Sequence, residues 1–328
     1  MEAQLPFERI KRTIMFKREA ETDPKYGKSL NKRTLKELLE YGVICVNKPS
    51  GPTSHLTSDS IKKILEVKKA GHGGTLDPAV TGVLPVALNR ATRIMQTLLL
   101  AGKEYVCLMH IHKPALKKEI ESTFEEFIGK IIQLPPVRSA VKRQERQREV
   151  YYIQILEILG QDVLFRIGTQ AGTYIRKICS DFGKALGTGA HMAQLVRSKA
   201  GPFNDKEMYT LHDIKDAFTL YKQGKEKELK KMIKPLEFGI SHLPKIWVLD
   251  STVDALCHGA TLKAPGIVKL ETGIKRRATV AIYTLKDELI GFGEAKGKGE
   301  DMILEEKGVA VKLQTVIMER STYPKNEH

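Results

Sequence analysis

Cysteine is scarce in this sequence. Its 328 residues hold only Cys45, Cys107, Cys179 and Cys257, far apart and without a CxxC pair. That spacing excludes a disulfide scaffold and a cysteine zinc site, and fits a reducing, cytoplasmic compartment. No apolar run is long enough to span a bilayer. The first residues mix Glu2 and Glu8 with Arg9, Lys11 and Arg12, so no secretory signal is read there. No P-loop sequence and no GxGxxG fingerprint occurs, which sets aside nucleotide hydrolysis and dinucleotide binding. Internal repeats and low-complexity segments are missing too. Acidic residues run short: 39 Asp and Glu against 54 Lys and Arg leave a net charge of +15. Such an excess favours a polyanion by attraction and counterion release. Nucleic acid is the first choice, an anionic membrane the second, and a basic protein with neither the plain alternative.

What is present suffices for a sizeable core, with 41% hydrophobic residues. The length suggests roughly two domains. Residues 1–40 are polar and basic and read as an extension that folds by docking on something else. Gly42 to Val46 reads as a buried strand ended by Lys48-Pro49-Ser50-Gly51-Pro52. Thr57 to Lys69 reads as a helix that Ser58 can cap, and Ala91 to Leu100 as another. Lys103 to His112 alternates like a strand, with Tyr105, Cys107, Met109 and Ile111 on one face and His110 and His112 on the other. The pattern predicts a helix over Phe124 to Ile132, strands over Tyr151 to Ile158 and Val163 to Ile167, and a long helix over Leu211 to Ile233. A helix begins near Tyr174, with Ile175, Ile178, Cys179, Phe182 and Leu186 at helical spacing. Past Lys245, short strands with glycine turns suggest a small β-barrel of about 80 residues.

One loop carries the chemistry. Gly71-His72-Gly73-Gly74-Thr75-Leu76-Asp77-Pro78 is dense in glycine, and Pro78 restricts Asp77 to an extended conformation. A rigidly aimed carboxylate suits nucleophilic or acid–base work. On local features alone, a turn aspartate bonding its own backbone is the commoner reading. Arg176 is equally a carboxylate partner, a phosphate holder or a surface residue. Tyr105 on its strand face reads as core. His110 and His112, with no third ligand, read as surface or pairing histidines rather than a metal site. The basic run Arg138, Lys142, Arg143, Arg146 and Arg148 is either a loop that tracks RNA backbone or merely solvated.

Taken in order, these segments resemble the TruB-type pseudouridine synthase family, and its archaeal and eukaryotic dyskerin branch most of all. Val46-Asn47-Lys48-Pro49-Ser50-Gly51-Pro52-Thr53-Ser54 is similar to the family's opening motif. The Gly71–Pro78 loop with Gly82-Val83-Leu84-Pro85 resembles its catalytic loop. Gly102-Lys103-Glu104-Tyr105 matches its K-x-Y motif, and Arg138-Ser139-Ala140-Val141-Lys142 its thumb. Gly172-Thr173-Tyr174-Ile175-Arg176 and Gly189-Ala190-His191-Met192-Ala193-Gln194-Leu195 complete the series, and the C-terminal part resembles a PUA domain. Gly73 gives the G-H-G-G form of the dyskerin branch. The chain lacks the lysine-rich tails of eukaryotic dyskerins, so it looks archaeal. One departure stands out: where PUA domains often read Gly-Asp before a hairpin strand, this chain reads Arg277-Ala278.

The resemblance implies an α+β fold: a catalytic domain with a mixed central β-sheet flanked by helices, plus a C-terminal PUA small β-barrel. It implies an N-terminal extension over 1–40 docked on the PUA domain, a catalytic domain over 41–244 and the PUA domain over 245–328. Asp77 becomes the nucleophile, at ribose C1′, at uracil C6 or through a glycal. Tyr105 becomes the residue stacked on a flipped base, and Tyr174 and Arg176 the supports of Asp77, with Arg176 pairing to a buried carboxylate. His72, Leu195, Lys48, Arg138, Lys142 and Arg143 become substrate contacts. Gly259, Ala260 and Lys263 become contacts of a box H/ACA guide RNA. Isomerising uridine requires no cofactor or metal. Implied partners are the guide, rRNA and tRNA substrates, and small accessory proteins. A stand-alone tRNA enzyme and a catalytically silent RNA-binding scaffold are the competing readings.

Overall fold

The computed structural model describes residues 3–134 and 144–325. The chain divides into two compact units. Unit 1 holds Met1–Arg9, Ile44–Ala87 and Met95–Met232; unit 2 holds Ile10–Val43, Leu88–Ile94 and Ile233–His328.

Unit 1 is built on one sheet. Its strands run in the order Gly42–Lys48, Thr81–Leu88, Ala190–Ala200, Lys103–Ile111, Asp162–Thr169, Arg146–Leu159 and Gly129–Gln133. Thr81–Leu88 pairs in parallel with Ala190–Ala200, and the pairs beyond it are antiparallel, so the sheet is mixed. Alternation in Lys103–Ile111 puts Cys107, Met109 and Ile111 on a fully buried face. The Ile175–Ala185 helix covers that face with Ile175, Ile178, Cys179 and Phe182, the i, i+3, i+4, i+7 stripe of an amphipathic helix. Phe182 stacks on Phe124 at 4.3 Å between ring centres, and Phe124 on Phe165 at 4.9 Å. Burying a ring like Phe182 is worth roughly 2–3 kcal/mol. The helix and the strand that carries Tyr105 are therefore held as one block.

Several elements differ from the sequence pattern. The helix expected over Thr57–Lys69 is Ser54–Ile64. Thr53, not Ser58, caps it, its hydroxyl accepting from the Leu56 N–H at 3.1 Å. Ser58 lies inside and donates to the His55 carbonyl. The helix expected over Phe124–Ile132 is a Lys117–Glu126 helix followed by the Gly129–Gln133 strand. Gly129, at φ +97°, breaks the helical path that the apolar spacing suggested. Gly224, at φ +84°, likewise divides the expected long helix into Leu211–Lys222 and Lys227–Met232. The Ala91–Leu100 helix is an Asn89–Ile94 3₁₀ turn and a Met95–Leu100 α-helix.

Unit 2 is a second sheet, in the order Ile14–Phe16, Ile267–Glu271, Lys245–Val248, Thr279–Tyr283, Leu289–Ala295, Val309–Val316 and Leu262–Lys263. Ile246, Leu270, Val280, Ile282, Ile290 and Val311 fill its core. Thr279–Tyr283 and Leu289–Ala295 form an antiparallel hairpin. Arg277 stands at φ +68°, the left-handed region that glycine enters freely, so the backbone there turns without the glycine. The segment after residue 10 is fastened along this unit. Ile14–Phe16 pairs antiparallel with Ile267–Glu271, and Arg33 grips Glu237 through two bonds of 2.7 Å. The first residues pack in unit 1, where Leu5 is buried and Glu8 meets Lys199 at 3.0 Å. Among the described residues no helix is long and apolar enough to cross a membrane.

Candidate functional site

The Gly71–Pro78 loop is held from below by buried side chains. Lys48 is fully buried, and its ammonium donates to the carbonyls of Pro49 at 2.8 Å, Pro78 at 3.0 Å and Val80 at 2.9 Å. Ser54 clamps Leu76, accepting from its N–H at 2.8 Å and donating to its carbonyl at 3.1 Å. Gly51 N–H donates to the Pro78 carbonyl at 3.0 Å, and Val80 N–H to that of Asp77 at 3.0 Å. The backbone on both sides of Asp77 is thus fixed by bonds that do not involve its carboxylate. Lys48, expected against substrate, is corrected to a brace: its donors are engaged inside the protein.

The carboxylate meets the Arg176 guanidinium, in the first turn of the Ile175–Ala185 helix. The pair is open, with side chains 56% and 55% exposed, so the expectation of a buried carboxylate is overturned. Water screens such a pair strongly, and its attraction grows once a ligand excludes that water. The helix entrance is itself pinned. Gln133 accepts from the Tyr174 N–H at 3.0 Å and donates to the Tyr174 carbonyl at 3.2 Å.

Tyr105 and Leu195 are half-buried against the unit 1 core, on adjacent strands in which Tyr105 pairs with Arg197 and Cys107 with Leu195. Arg197 is 1% exposed and donates to the Val83 carbonyl at 2.7 Å and the Gly74 carbonyl at 3.1 Å. Gly82 sits against it: at φ +99°, an added Cβ would stand 2.3 Å from the Arg197 carbonyl oxygen. Lys103, also buried, donates to the carbonyls of Leu98, Leu99 and Ala101. Burial pushes the Lys103 amine down to about 7, helped by the charge of Arg197. Burial and then Arg197 lower Lys48 as well, while Asp77 acts in the opposite direction. The same two causes lower His72, whose buried Nδ1 has no hydrogen-bond partner among the described residues. The floor of the loop is therefore electropositive.

The remaining expected residues fall elsewhere. Arg138, Lys142 and Arg143 lie outside the described residues. Gly259 follows the Asp250–Cys257 helix at φ +89°, Ala260 N–H donates to the Ala255 carbonyl, and Lys263 is exposed on the Leu262–Lys263 strand of unit 2. Beside Gly259 opens a cleft of about 590 Å³ bordered by Arg90, Arg93, His258 and Arg320. His110 pairs with Asp162 at 2.7 Å and His112 with His191 at 2.9 Å; no group of metal-ligating residues forms among the described residues. Ser54, Lys103, Gln133 and Arg197 were not singled out beforehand. Ser54 and Lys103 stood inside the quoted motifs, but Gln133 and Arg197 had no local signal.

A carboxylate on a pinned loop, faced by arginine, in a strongly basic chain that also carries a small β-sheet unit, is an arrangement suited to an RNA-modifying enzyme. Family models agree. Residues 62–175 match the TruB family pseudouridylate synthase N-terminal domain and residues 176–241 the tRNA pseudouridylate synthase B C-terminal domain. Residues 244–317 match the PUA domain and residues 2–57 the DKCLD domain. The chain belongs to the TruB family of pseudouridine synthases, isomerases that carry here a PUA and a DKCLD domain. It is 52% identical to the probable tRNA pseudouridine synthase B of Methanopyrus kandleri, over 98% of this chain and 95% of that one. With the protein of the same name from Pyrococcus abyssi it shares 54% identity, over 96% of each. Among solved structures it is similar to a chain of a Cbf5-Nop10-Gar1 complex, with a TM-score of 0.95, 52% identity and 98% of both chains covered. It also resembles a chain of an H/ACA RNP bound to a substrate RNA containing 2′-deoxyuridine, with a TM-score of 0.92, 50% identity, and 98% of this chain and 99% of that one covered.

Proposed function

We propose that this pseudouridine synthase acts on ribosomal RNA under the direction of a box H/ACA guide RNA, and on the T-loop uridine of tRNA without one. The Asp77–Arg176 ion pair on the pinned loop is the observation that carries the catalytic part. The similar chain in an H/ACA particle with bound substrate RNA supports the guided part, and relatives named as tRNA enzymes support the other. The partners follow the same likeness: a guide RNA and small accessory proteins.

The roles follow the family resemblance, and the fixed backbone at Asp77 with its Arg176 partner supports the central one. The target uridine leaves its stack to reach the loop. Tyr105 stacks on the flipped base and Leu195 walls it. Asp77 acts as nucleophile, Arg176 pairs with it and aims it, and Tyr174 orients the pair. His72 contacts RNA as a neutral imidazole. Arg138, Lys142 and Arg143 track the substrate strand, and Gly259, Ala260 and Lys263 hold the guide. Asp77 and Arg176 are exposed in the free chain, so bound RNA supplies the cover that dries the site.

The test is tritium release from C5-labelled uridine in a guide-paired target and in a tRNA, with and without accessory proteins. Asp77→Asn keeps the shape and removes the charge. It should lower release at least about 1000-fold while RNA affinity stays. Full release from that variant would sink the mechanism. Release that requires the guide supports the ribonucleoprotein role, and release from tRNA alone leaves the stand-alone role.

A further inference from the structure

Arg197 buries a positive charge without a carboxylate partner among the described residues. Its guanidinium donates to the carbonyls of Gly74 and Val83, which bracket Asp77 in the chain. In the sheet, Arg197 stands opposite Tyr105 on one side and Gly82 on the other. One side chain therefore ties the strand with the stacking tyrosine to the loop with the carboxylate. Stability does not account for it. A buried cation answered by neutral acceptors is costly, and an apolar residue of similar volume is often as stable or more so.

We propose that Arg197 is a positioning residue for Tyr105: it fixes the phenol and places a positive charge behind the base that leaves the ribose. This rests on the reading that Tyr105 stacks on the target uracil. A guanidinium can only donate, so in the contact proposed here the Tyr105 oxygen would accept from Arg197. When the C1′–N1 bond breaks heterolytically, its electron pair stays on N1 and uracil becomes an anion. No proton moves in that step. A cation one hydrogen bond behind the phenol, in a water-poor interior, stabilises that anion more than it stabilises neutral uridine.

A double-mutant cycle tests this with the full chain, on whichever C5-tritiated RNA the wild type turns over. Arg197→Met should slow single-turnover release roughly 100-fold with RNA affinity unchanged. In a Tyr105→Phe background the same change should slow it several-fold less, because the part of the effect carried through the phenol is already gone. Equal slowing in both backgrounds, or lost RNA affinity with the rate kept, would overturn the proposal. Thermal melts establish that the variants fold. If Arg197→Met does not, Arg197→Lys, which keeps the charge and loses the fork, carries the same cycle. Asp77→Asn runs in parallel. Activity there removes the underlying reading, whereas an inactive Asp77→Asn with equal Arg197 effects in both backgrounds removes this inference alone.

Discussion

The two units bury charge of opposite sign. Around the Asp77 loop of unit 1 the buried charges are Lys48, Lys103 and Arg197, and backbone carbonyls answer each of them. In unit 2 they are Glu237, Asp254 and Glu288. Arg33 and the Leu289 N–H answer Glu237, the Ser321 N–H answers Asp254, and the Lys28 N–H and Tyr323 hydroxyl answer Glu288. Unit 1 does bury one carboxylate, Glu104, which is held by the Tyr152 and Ser198 hydroxyls. Carbonyls satisfy the geometry of a cation without cancelling its charge, so the floor of the loop stays positive. Arg33 cancels the charge of Glu237, and that pairing fastens the N-terminal segment. Buried charge sets a potential in one unit and secures a chain segment in the other.

The contrast can be broken most visibly at Arg33. Arg33→Ala leaves Glu237, 5% exposed, without its cationic partner, and should cost about 3 kcal/mol in denaturant unfolding. Hydrogen exchange should place the loss in residues 10–43. A cost below about 1 kcal/mol would mean that the segment is held by its apolar contacts instead. Arg197→Met, matched in volume, should cost far less stability and far more turnover.

Lys103 sharpens the comparison through pH. Its amine is held at about 7 instead of 10.5, first by burial and then by Arg197. Between those values the unfolded chain binds the proton that the folded chain has lost, so stability rises with pH. The rise should reach about 1.4 kcal/mol per pH unit, with the full cost of the charge present at and below pH 7. Urea unfolding from pH 7 to 9.5 measures it, and Lys103→Met should flatten the slope. The smallest effect is expected at Arg277. Glycine there removes the left-handed strain and adds freedom to the unfolded chain, for a net gain of about 0.5 kcal/mol in thermal unfolding.

Much of the site was legible because it lies in short segments. Glycine density marked the Asp77 loop, and ordered motifs supplied Tyr105, Tyr174, Arg176 and Leu195. Positive φ at Gly74 and Gly82 shows why those glycines are there. Legibility ended where depth mattered. Arg197 sits in a Val-Arg-Ser run with no local sign of depth, and the sheet places it between Gly82 and Tyr105 of the flanking strands. Lys48 belonged to a recognised motif, yet the motif did not say that its amine points inward. The fold was misread where one glycine overruled apolar spacing, at Gly129 and Gly224. Arg277 shows the converse, a turn made without the glycine that would have announced it.

The four cysteines have a practical consequence. All are buried and unpaired, and burial pushes the Cys45 and Cys257 thiols up to about 12, so neither offers a thiolate near neutral pH. A cysteine introduced at an exposed position would outrun them toward an alkylating dye. The chain is thus a nearly silent background for attaching fluorophores or spin labels, and its movements on RNA can be followed without first stripping the native thiols from its core.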